Sequence, residues 1–254
     1  MLGTTLDPST LMIVVAGALL AGFTTGFAGF GTGLVASGLW FHALPAPMVP
    51  PLVVLASVAG QTMSLLSVRR AFDWPRAAPY LVGGALGVPL GLAALAAASP
   101  IILRTSIGAF LVAYAAYQLL AARVAVLGRG GWAGGPVADG MIGIGGGFLG
   151  GFAGLSGALP LIWLQLQGGD PGGQRAVYQP FNLIVLTLAT AGMAISGQLS
   201  SGVLWIALAC LPATLLGAWA GARIYGAVSP QTFQRVVLGL LLVSGAILLA
   251  QAIA

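Results

Sequence analysis

Four polar side chains that could hydrogen-bond a small ligand interrupt long apolar stretches of the chain: Ser57, Gln61, Gln179 and Asn182. An isolated hydroxyl in an apolar helix usually bonds the backbone carbonyl four residues earlier, so Ser57 has a local partner available. The carboxamides of Asn and Gln are harder to satisfy in that way. Gln61 and Asn182 are therefore the stronger candidates for contact with a ligand.

Two glycine-rich stretches, 26–33 and 145–157, could supply backbone groups for the same purpose. Each Gly costs a helix about 1 kcal/mol relative to Ala, so we expect neither stretch to form unbroken helix. A broken helix leaves N–H groups free at its N-terminus, where the helix dipole favours anions. Close helix packing against glycine is the alternative explanation. The residues predicted to form an anion cradle are Gly29, Gly31, Thr32, Gly33, Gly154, Ser156 and Gly157.

The composition indicates a membrane protein. The chain has 254 residues, of which 59% are hydrophobic and 5% charged, and its mean hydropathy is +1.04. An average soluble domain is about 25% charged, so a cytosolic enzyme, a nucleic-acid-binding protein and a disordered chain are excluded. The net charge of +5 includes nine arginines in short connections between apolar stretches, a distribution typical of juxtamembrane charge. The single Cys210 excludes a disulfide framework and a cysteine metal cluster, and we expect no metal or cofactor.

Eight apolar segments are long enough to cross the bilayer, since a helix needs roughly 20 residues to span about 30 Å of hydrocarbon. Helices are expected because the ten-residue alternation of barrel strands is absent from the sequence. Turn-forming stretches such as Pro45-Ala46-Pro47 and Ser99-Pro100 separate the segments. The predicted segments are 9–44, 48–67, 77–98, 101–121, 137–167, 177–198, 202–222 and 231–253.

The two halves of the chain repeat each other. Gly26-Phe27-Ala28-Gly29 recurs 125 residues later as Gly151-Phe152-Ala153-Gly154, an offset that also relates Ser57 to Asn182. Small residues at every fourth position, which let helices approach closely, recur at an offset of 130, where Gly87 corresponds to Gly217. We therefore predict two membrane repeats of four segments each, residues 1–121 and 137–254, joined by a connecting loop at 122–136.

The first and fifth segments are too long for one crossing and too short for two. If all eight segments cross, the arginines divide five to four between the two sides, and this division does not indicate which side is cytoplasmic. If those two segments are hairpins that enter and leave on one side, the division is eight to one. The positive-inside rule favours the hairpins and places both termini on the periplasmic side. Arg104 is then alone, and the other side holds Arg69, Arg70, Arg76, Arg123, Arg129, Arg175, Arg223 and Arg235.

Three crossings and one hairpin in each half would invert the second repeat relative to the first. Inverted repeats with interrupted helices are typical of transporters that bind substrate near the midplane, where the repeats meet. The predicted fold class is therefore an all-α polytopic membrane protein. It contains two inverted four-segment repeats, each beginning with a broken, glycine-rich, re-entrant-like segment.

The charged residues indicate the sign of the ligand. The four acids, Asp7, Asp73, Asp139 and Asp170, lie near segment ends or in connections, whereas proton relays and many cation sites need a carboxylate within the span. Arg104 could attract anions from an outward vestibule or could extend to the membrane interface. An anion that leaves a cell gains about 2.3 kcal/mol per charge per 100 mV. Anion export therefore needs no coupling ion, whereas uptake needs a separate driving force.

Two enzyme-like motifs do not predict an enzyme. Gly154-Leu155-Ser156-Gly157 matches the serine motif of rhomboid-type intramembrane proteases, but no histidine follows it to act as the base. The glycines at 145, 147 and 150 match a dinucleotide fingerprint without the strand and downstream acid that such a site requires. We expect no enzymatic activity.

Several motifs occur together and in order along the chain: Gly26-Phe27-Ala28-Gly29-Phe30-Gly31-Thr32-Gly33, Arg69-Arg70-Ala71-Phe72-Asp73-Trp74, Pro100 before Leu103-Arg104, and Gly143-Ile144-Gly145-Gly146-Gly147-Phe148. In these features the chain resembles the TauE/SafE sulfite-exporter-like permeases over essentially its whole length. The resemblance implies transport of small sulfur-containing anions, such as sulfite, sulfoacetate or other organosulfonates, across a bacterial inner membrane. It does not give the direction.

The chain also departs from the pattern of that family. The Ala-Thr-Ser-like stretch of the family reads Leu55-Ala56-Ser57 here and Pro180-Phe181-Asn182 in the second half. Ala158-Leu159-Pro160 follows the second glycine-rich stretch in place of a long aliphatic run. A changed pocket could accept a changed substrate, so sulfite is the leading hypothesis among several small anions.

We therefore predict a multi-pass inner-membrane transporter that exports sulfite or small organosulfonates. Hairpin N–H groups and the side chains of Ser57, Gln61 and Asn182 would hold the anion. The alternatives are a permease for another small anion or sulfur compound in the uptake direction, and a non-transporting membrane assembly subunit. The expected partners are the anion and membrane lipid, and no nucleic acid. The oligomeric state is left open, with a homo-oligomer as one option.

Overall fold

The computed structural model describes residues 7–68, 72–124, 134–224 and 230–253. These residues form ten α-helices and one 3-10 turn, and no strand occurs among them. The predicted all-α fold is therefore confirmed. In chain order the elements are α1 Pro8–Ala28, α2 Thr32–Ala43, the 3-10 turn Ala46–Met48, α3 Val49–Val68, α4 Trp74–Ala97, α5 Pro100–Val124, α6 Pro136–Ala153, α7 Ala158–Gln167, α8 Pro171–Ile195, α9 Ser201–Ile224 and α10 Pro230–Ile253.

Seven of the described helices are long and apolar enough to cross a membrane. Their outward faces carry large apolar side chains, among them Leu86, Leu90, Trp205 and Leu208, that are exposed in the isolated chain. Such a surface would be a liability in water but suits contact with lipid. The chain is therefore a multi-pass membrane protein. The seven helices that meet this criterion, by length and composition, are Pro8–Ala28, Ala46–Leu66, Trp74–Ala97, Pro100–Leu120, Pro171–Ile195, Ser201–Ile224 and Gln234–Gln251.

Two of the four acids cap helices with their side chains. The Asp73 carboxylate accepts a hydrogen bond from the backbone N–H of Arg76 at 3.2 Å at the start of α4. The Asp170 carboxylate accepts one from the N–H of Gly173 at 2.8 Å at the start of α8. Each acid is followed at the first or second helical position by a proline, whose missing N–H costs nothing there.

The first long apolar segment is divided into two helices by a glycine bend at residues 29–31. Gly29 and Gly31 have φ angles of 81° and 107°, a left-handed conformation that other residues rarely adopt. The chain then turns back, because the indole N–H of Trp40 in α2 donates to the carbonyl of Val14 in α1 at 3.0 Å. Helices α1 and α2 therefore form an antiparallel hairpin.

The second long apolar segment has the same form. Helix α6 ends at Ala153 and is followed by Gly154, which has a φ of 73°, and α7 begins at Ala158. Trp163 and Gln167 of α7 donate to the carboxylate of Asp139 in the first turn of α6, at 2.7 and 2.8 Å. Because the C-terminal part of α7 contacts the N-terminal part of α6, these helices also form an antiparallel hairpin.

Glycine contacts join the two halves of the chain. Helix α4 packs against α6, and α1 packs against α9. A Cβ atom on Gly87 of α4 would lie 2.1 Å from the carbonyl oxygen of Ile144, and one on Gly221 of α9 would lie 2.1 Å from that of Phe23. Contacts this close require glycine. The small-residue stripe found in the sequence therefore lies in these two interfaces.

The centre of the molecule lies between α3 and α8. Helix α3 packs on both α8 and α9, and α8 packs on α4, whereas α5 packs on α10 and both of these contact α2. Large side chains such as Leu52, Phe181 and Val185 are completely buried there. The bends of both hairpins reach this centre, where the candidate site is found.

Candidate functional site

A cavity lies where the two glycine bends meet. A Cβ atom on Gly33, in the first turn of α2, would lie 2.3 Å from the carbonyl oxygen of Gly154 in the second bend. The two hairpins are therefore in direct contact, and α3 and α8 complete the walls. The lining residues are Thr25, Phe30, Gly31, Thr32, Gly33, Leu34, Ser57, Gln61, Gly154, Leu155, Ser156, Gly157, Ala158, Asn182 and Leu186.

Most of the residues predicted to bind a ligand line this cavity. Ser57 and Gln61 face it from α3, and Asn182 faces it from α8. All three side chains are buried, with exposures of 3%, 2% and 3%. The cavity also contains the predicted cradle residues Gly31, Thr32, Gly33, Gly154, Ser156 and Gly157.

Ser57 and Asn182 present different hydrogen-bonding groups to the cavity. The Asn182 carboxamide oxygen accepts a hydrogen bond from the Ser156 hydroxyl at 3.0 Å. The Ser57 hydroxyl is buried and has no hydrogen-bond partner among the described residues, so it does not bond the backbone carbonyl that was available to it. A buried hydroxyl without a partner is uncommon in proteins. It can donate to a ligand placed in the cavity.

The first bend satisfies part of its own backbone. The N–H of Thr32, at the start of α2, donates to the Thr25 hydroxyl at 2.8 Å, and the Thr25 and Thr32 hydroxyls hydrogen-bond each other. In the second bend the N–H groups of Gly154 and Leu155 donate to carbonyls at the end of α6. These three amides are therefore engaged within the protein and are not free to bind a ligand in this conformation.

The cavity is narrow, with a volume of about 20 Å³. A site needs about 10–15 Å³ by this measure to hold one water molecule. The cavity therefore has room for about one water molecule, and a larger ligand would require the two bends to separate.

Gly29 and Gln179 lie beside the cavity without lining it. A Cβ atom on Gly29 would lie 2.7 Å from Arg175 Nε and 2.7 Å from Gln179 Nε2, both on α8. The guanidinium of Arg175 is 3% exposed, and its Nη2 donates to the carbonyl of Phe27 at 3.4 Å. The Tyr178 hydroxyl donates to the next carbonyl, that of Ala28, at 2.7 Å. This second polar group therefore surrounds the end of α1.

Sequence reasoning misses Arg175, because hydropathy places this arginine in a connection between segments. The structure begins α8 at Pro171, six residues before the predicted start, and buries the arginine in the second turn of that helix. The signal that could have found it is Asp170-Pro171, a helix-capping acid followed by a proline that is favoured at the first helical position.

Hydrogen bonds connect this second group to the cavity. The Gln179 amide donates to the Ser64 hydroxyl at 3.4 Å, and the amide of Gln61, which lines the cavity, donates to the backbone carbonyl of Gln179 at 3.5 Å. The Ser64 hydroxyl in turn donates to the carbonyl of Thr25 at 3.2 Å. Polar groups therefore extend from the cavity to Arg175.

Arg104 is separate from both groups. It lies on α5, half-buried, and it does not line the cavity. Its Nε is buried and has no hydrogen-bond partner within the described ranges. Across those same ranges no three acidic, histidine or cysteine side chains are close enough to hold a metal ion.

These features define an all-helical, multi-pass membrane protein with a polar cavity enclosed by two broken hairpins. The sulfite exporter TauE/SafE family matches residues 14–248, nearly the whole chain, and the protein belongs to that family. The family is one of membrane transporters of small anions. Comparison with curated proteins and with solved structures found no match.

Proposed function

We propose that this protein exports sulfite or a small organosulfonate across the bacterial inner membrane, and that the cavity between the two bends is its substrate site. The observation that carries the proposal is that Ser57 and Asn182, which the 125-residue offset relates, line the same cavity. Two related positions converge on one point when two repeats face each other across a shared site. The family match supplies the class of substrate.

We further propose that residues 1–121 and 137–254 are inverted repeats. The packing supports this, since α4 contacts α6 while α9, the counterpart of α4, contacts α1, the counterpart of α6. Gly83 of α4 lies against Gly140 of α6, and Gly91 lies against Phe148, so these two helices run in the same direction. Helices α4 and α6 therefore begin on the same side, as two crossings, α4 and α5, between their starts require.

The proposed orientation places both termini in the periplasm. The antiparallel hairpins return the chain to the side from which it entered. The connections with Arg69, Arg70 and Arg129, and the helix ends with Arg76 and Arg123, then lie on one side of the membrane. The positive-inside rule makes this side cytoplasmic.

In transport, the Asn182 amide, the Ser57 hydroxyl and the Gln61 amide would donate hydrogen bonds to the oxygens of the anion. The cavity of about 20 Å³ has no room for that anion, so the site would have to widen before the anion binds. Rocking of one repeat against the other would separate the bends and expose the site to each side in turn. The membrane potential favours outward movement of an anion by about 2.3 kcal/mol per charge per 100 mV.

Flux measurements in proteoliposomes test this function. The purified protein is reconstituted and assayed with sulfite, sulfoacetate, taurine, sulfate and acetate, under an imposed voltage and then under an imposed pH gradient. The expected result is saturable movement of sulfite or a sulfonate that follows voltage and is absent from protein-free vesicles. Movement only under a pH gradient would instead indicate proton-coupled transport. No movement of any anion would exclude the transport function.

A further inference from the structure

We infer that Arg175, Gln179 and Gly29 form a second anion site, which receives the substrate on the cytoplasmic side of the central cavity. The inference rests on the proposed function. It adds to that function a substrate-binding residue, Arg175, and the side of the membrane from which the anion enters, the cytoplasm. The anion would contact the Arg175 guanidinium before it passes Gln179 and reaches Asn182.

The three polar residues of α8 lie along one face of the helix. Arg175, Gln179 and Asn182 are spaced at i, i+4 and i+7, positions that share a helix face. Asn182 lines the cavity, and Arg175 and Gln179 both approach Gly29 in the first bend. This face of α8 therefore carries polar side chains from the cavity toward the N-terminal end of the helix.

Arg175 has the chemistry that an oxyanion requires. Its guanidinium is 3% exposed and lies within the apolar span Pro171–Ile195, where water screens its charge poorly. A buried ionisable group in a membrane-spanning helix is costly and commonly marks an ion pathway. The planar fork of arginine can donate two parallel hydrogen bonds to an oxyanion, which the ammonium of lysine cannot do.

The corresponding positions of the first repeat are apolar. At the 125-residue offset, Arg175 and Gln179 correspond to Pro50 and Val54 of α3. A Cβ atom on Gly154, in the second bend, would lie 2.7 Å from Val53 Cγ1 and 3.2 Å from Val54 Cγ2. One bend is therefore covered by a cation and an amide and the other by valines. A site that attracts anions from the cytoplasmic side alone agrees with export.

The alternative role for Arg175 is structural, because its Nη2 donates to the carbonyl of Phe27 at the end of α1. Tyr178 provides the matched control. Its hydroxyl donates to the adjacent carbonyl of Ala28, so Tyr178→Phe removes a hydrogen bond from the same helix end without changing the charge. Arg175→Gln removes the charge but keeps an amide donor, and Arg175→Lys keeps the charge but loses the planar fork.

The experiment compares these variants by the anion concentration that gives half-maximal flux in proteoliposomes, with sulfite and with sulfoacetate. For Arg175→Gln we expect this concentration to rise by about tenfold or more, as for loss of a charge-assisted hydrogen bond. Arg175→Lys should be intermediate, and Tyr178→Phe should match the wild type. If Arg175→Gln does not reach the membrane, the comparison is made with Arg175→Lys. A higher half-maximal concentration in Arg175→Lys, together with an unchanged one in Tyr178→Phe, supports the site.

Two results would overturn the second site. One is an unchanged half-maximal concentration in Arg175→Gln, and the other is an equal rise in Tyr178→Phe, which would assign Arg175 to holding the end of α1. In both cases the wild type still transports, so the proposed function stands. A wild type without anion flux removes the proposed function and the second site together.

Discussion

The hydroxyl of Ser156 donates a hydrogen bond to the carboxamide oxygen of Asn182 at 3.0 Å and joins the second glycine bend to α8. With that oxygen occupied, the amide N–H₂ is the part of Asn182 that can serve an anion, since anions accept hydrogen bonds and do not donate them. Gly157 leaves room for this group, because a Cβ atom there would lie 2.6 Å from Asn182 Nδ2. The second glycine bend and the Asn182 side chain are therefore packed together and joined by a hydrogen bond.

Replacing Asn182 by leucine should abolish sulfonate flux. The substitution removes the amide donor from the cavity while it keeps a side chain of similar size. We expect the variant to remain abundant in the membrane, as judged by quantitative immunoblotting. Thr187→Val is the control on the same helix, since the exposed Thr187 hydroxyl bonds only to the backbone carbonyl of Leu183 and should be dispensable. Wild-type flux in Asn182→Leu would remove Asn182 from the site.

The glycine interfaces should not tolerate even a methyl group. Gly87→Ala places a Cβ atom 2.1 Å from the carbonyl oxygen of Ile144, so α4 and α6 must move apart. We expect a loss of about 1–3 kcal/mol, the usual cost of overpacking, measured by thermal unfolding in detergent. Gly239→Ala is the matched control, because nothing lies within 4 Å of its added Cβ atom. That variant should gain stability, since Ala favours helix by about 1 kcal/mol. Equal unfolding temperatures would contradict the tight packing of α4 on α6.

Features with a local signal can be predicted from the sequence. Glycine breaks and apolar length indicate where the long segments divide, and the 125-residue offset alone pairs Ser57 with Asn182. Arg175 cannot be placed in this way, because hydropathy treats an arginine near a segment end as part of a connection. Only the packing of α8 against the first bend shows that it is buried. Asp139 is similar, since its hydrogen-bond donors come from helices that are distant in the sequence.

Asp139 should contribute more to stability than the helix-capping acids. Its Oδ1 accepts hydrogen bonds from the Tyr80 hydroxyl at 2.8 Å, from Trp163 Nε1 at 2.7 Å and from Gln167 Nε2 at 2.8 Å. The carboxylate thus links α4 and α7 to α6. Hydrogen bonds to a charged group contribute about 1.5–3 kcal/mol, and Asp139→Ala would leave three donors without their acceptor.

The comparison with Asp170 makes this prediction specific. Asp170→Ala loses a single capping hydrogen bond, which is worth about 1 kcal/mol. We therefore expect Asp139→Ala to lower the unfolding temperature in detergent more than Asp170→Ala does, with Asp139→Asn in between. An equal decrease in the two alanine variants would mean that the Asp139 network contributes no more than a cap.

The hairpins can be tested directly because the chain has one cysteine. Cys210 is 1% exposed and is replaced in a Cys210→Ala background. Single cysteines are then introduced at exposed or open positions: Ser9 before the first hairpin, Gly135 before the second, and Ser200 before α9. Gly135 is suitable because its φ of −148° is allowed for any residue and nothing lies within 4 Å of an added Cβ atom.

Labelling with a membrane-impermeant maleimide in intact cells should modify the cysteines at 9 and 200 but not the one at 135. Labelling after lysis should modify all three, which shows that each is reactive. The expected pattern follows because each hairpin returns the chain to its side of entry, leaving three crossings between residues 9 and 135 and one between 135 and 200. If both long segments crossed, four and two crossings would separate these positions and all three would label alike. Equal labelling in intact cells would therefore contradict the hairpins and, with them, the inversion of the repeats.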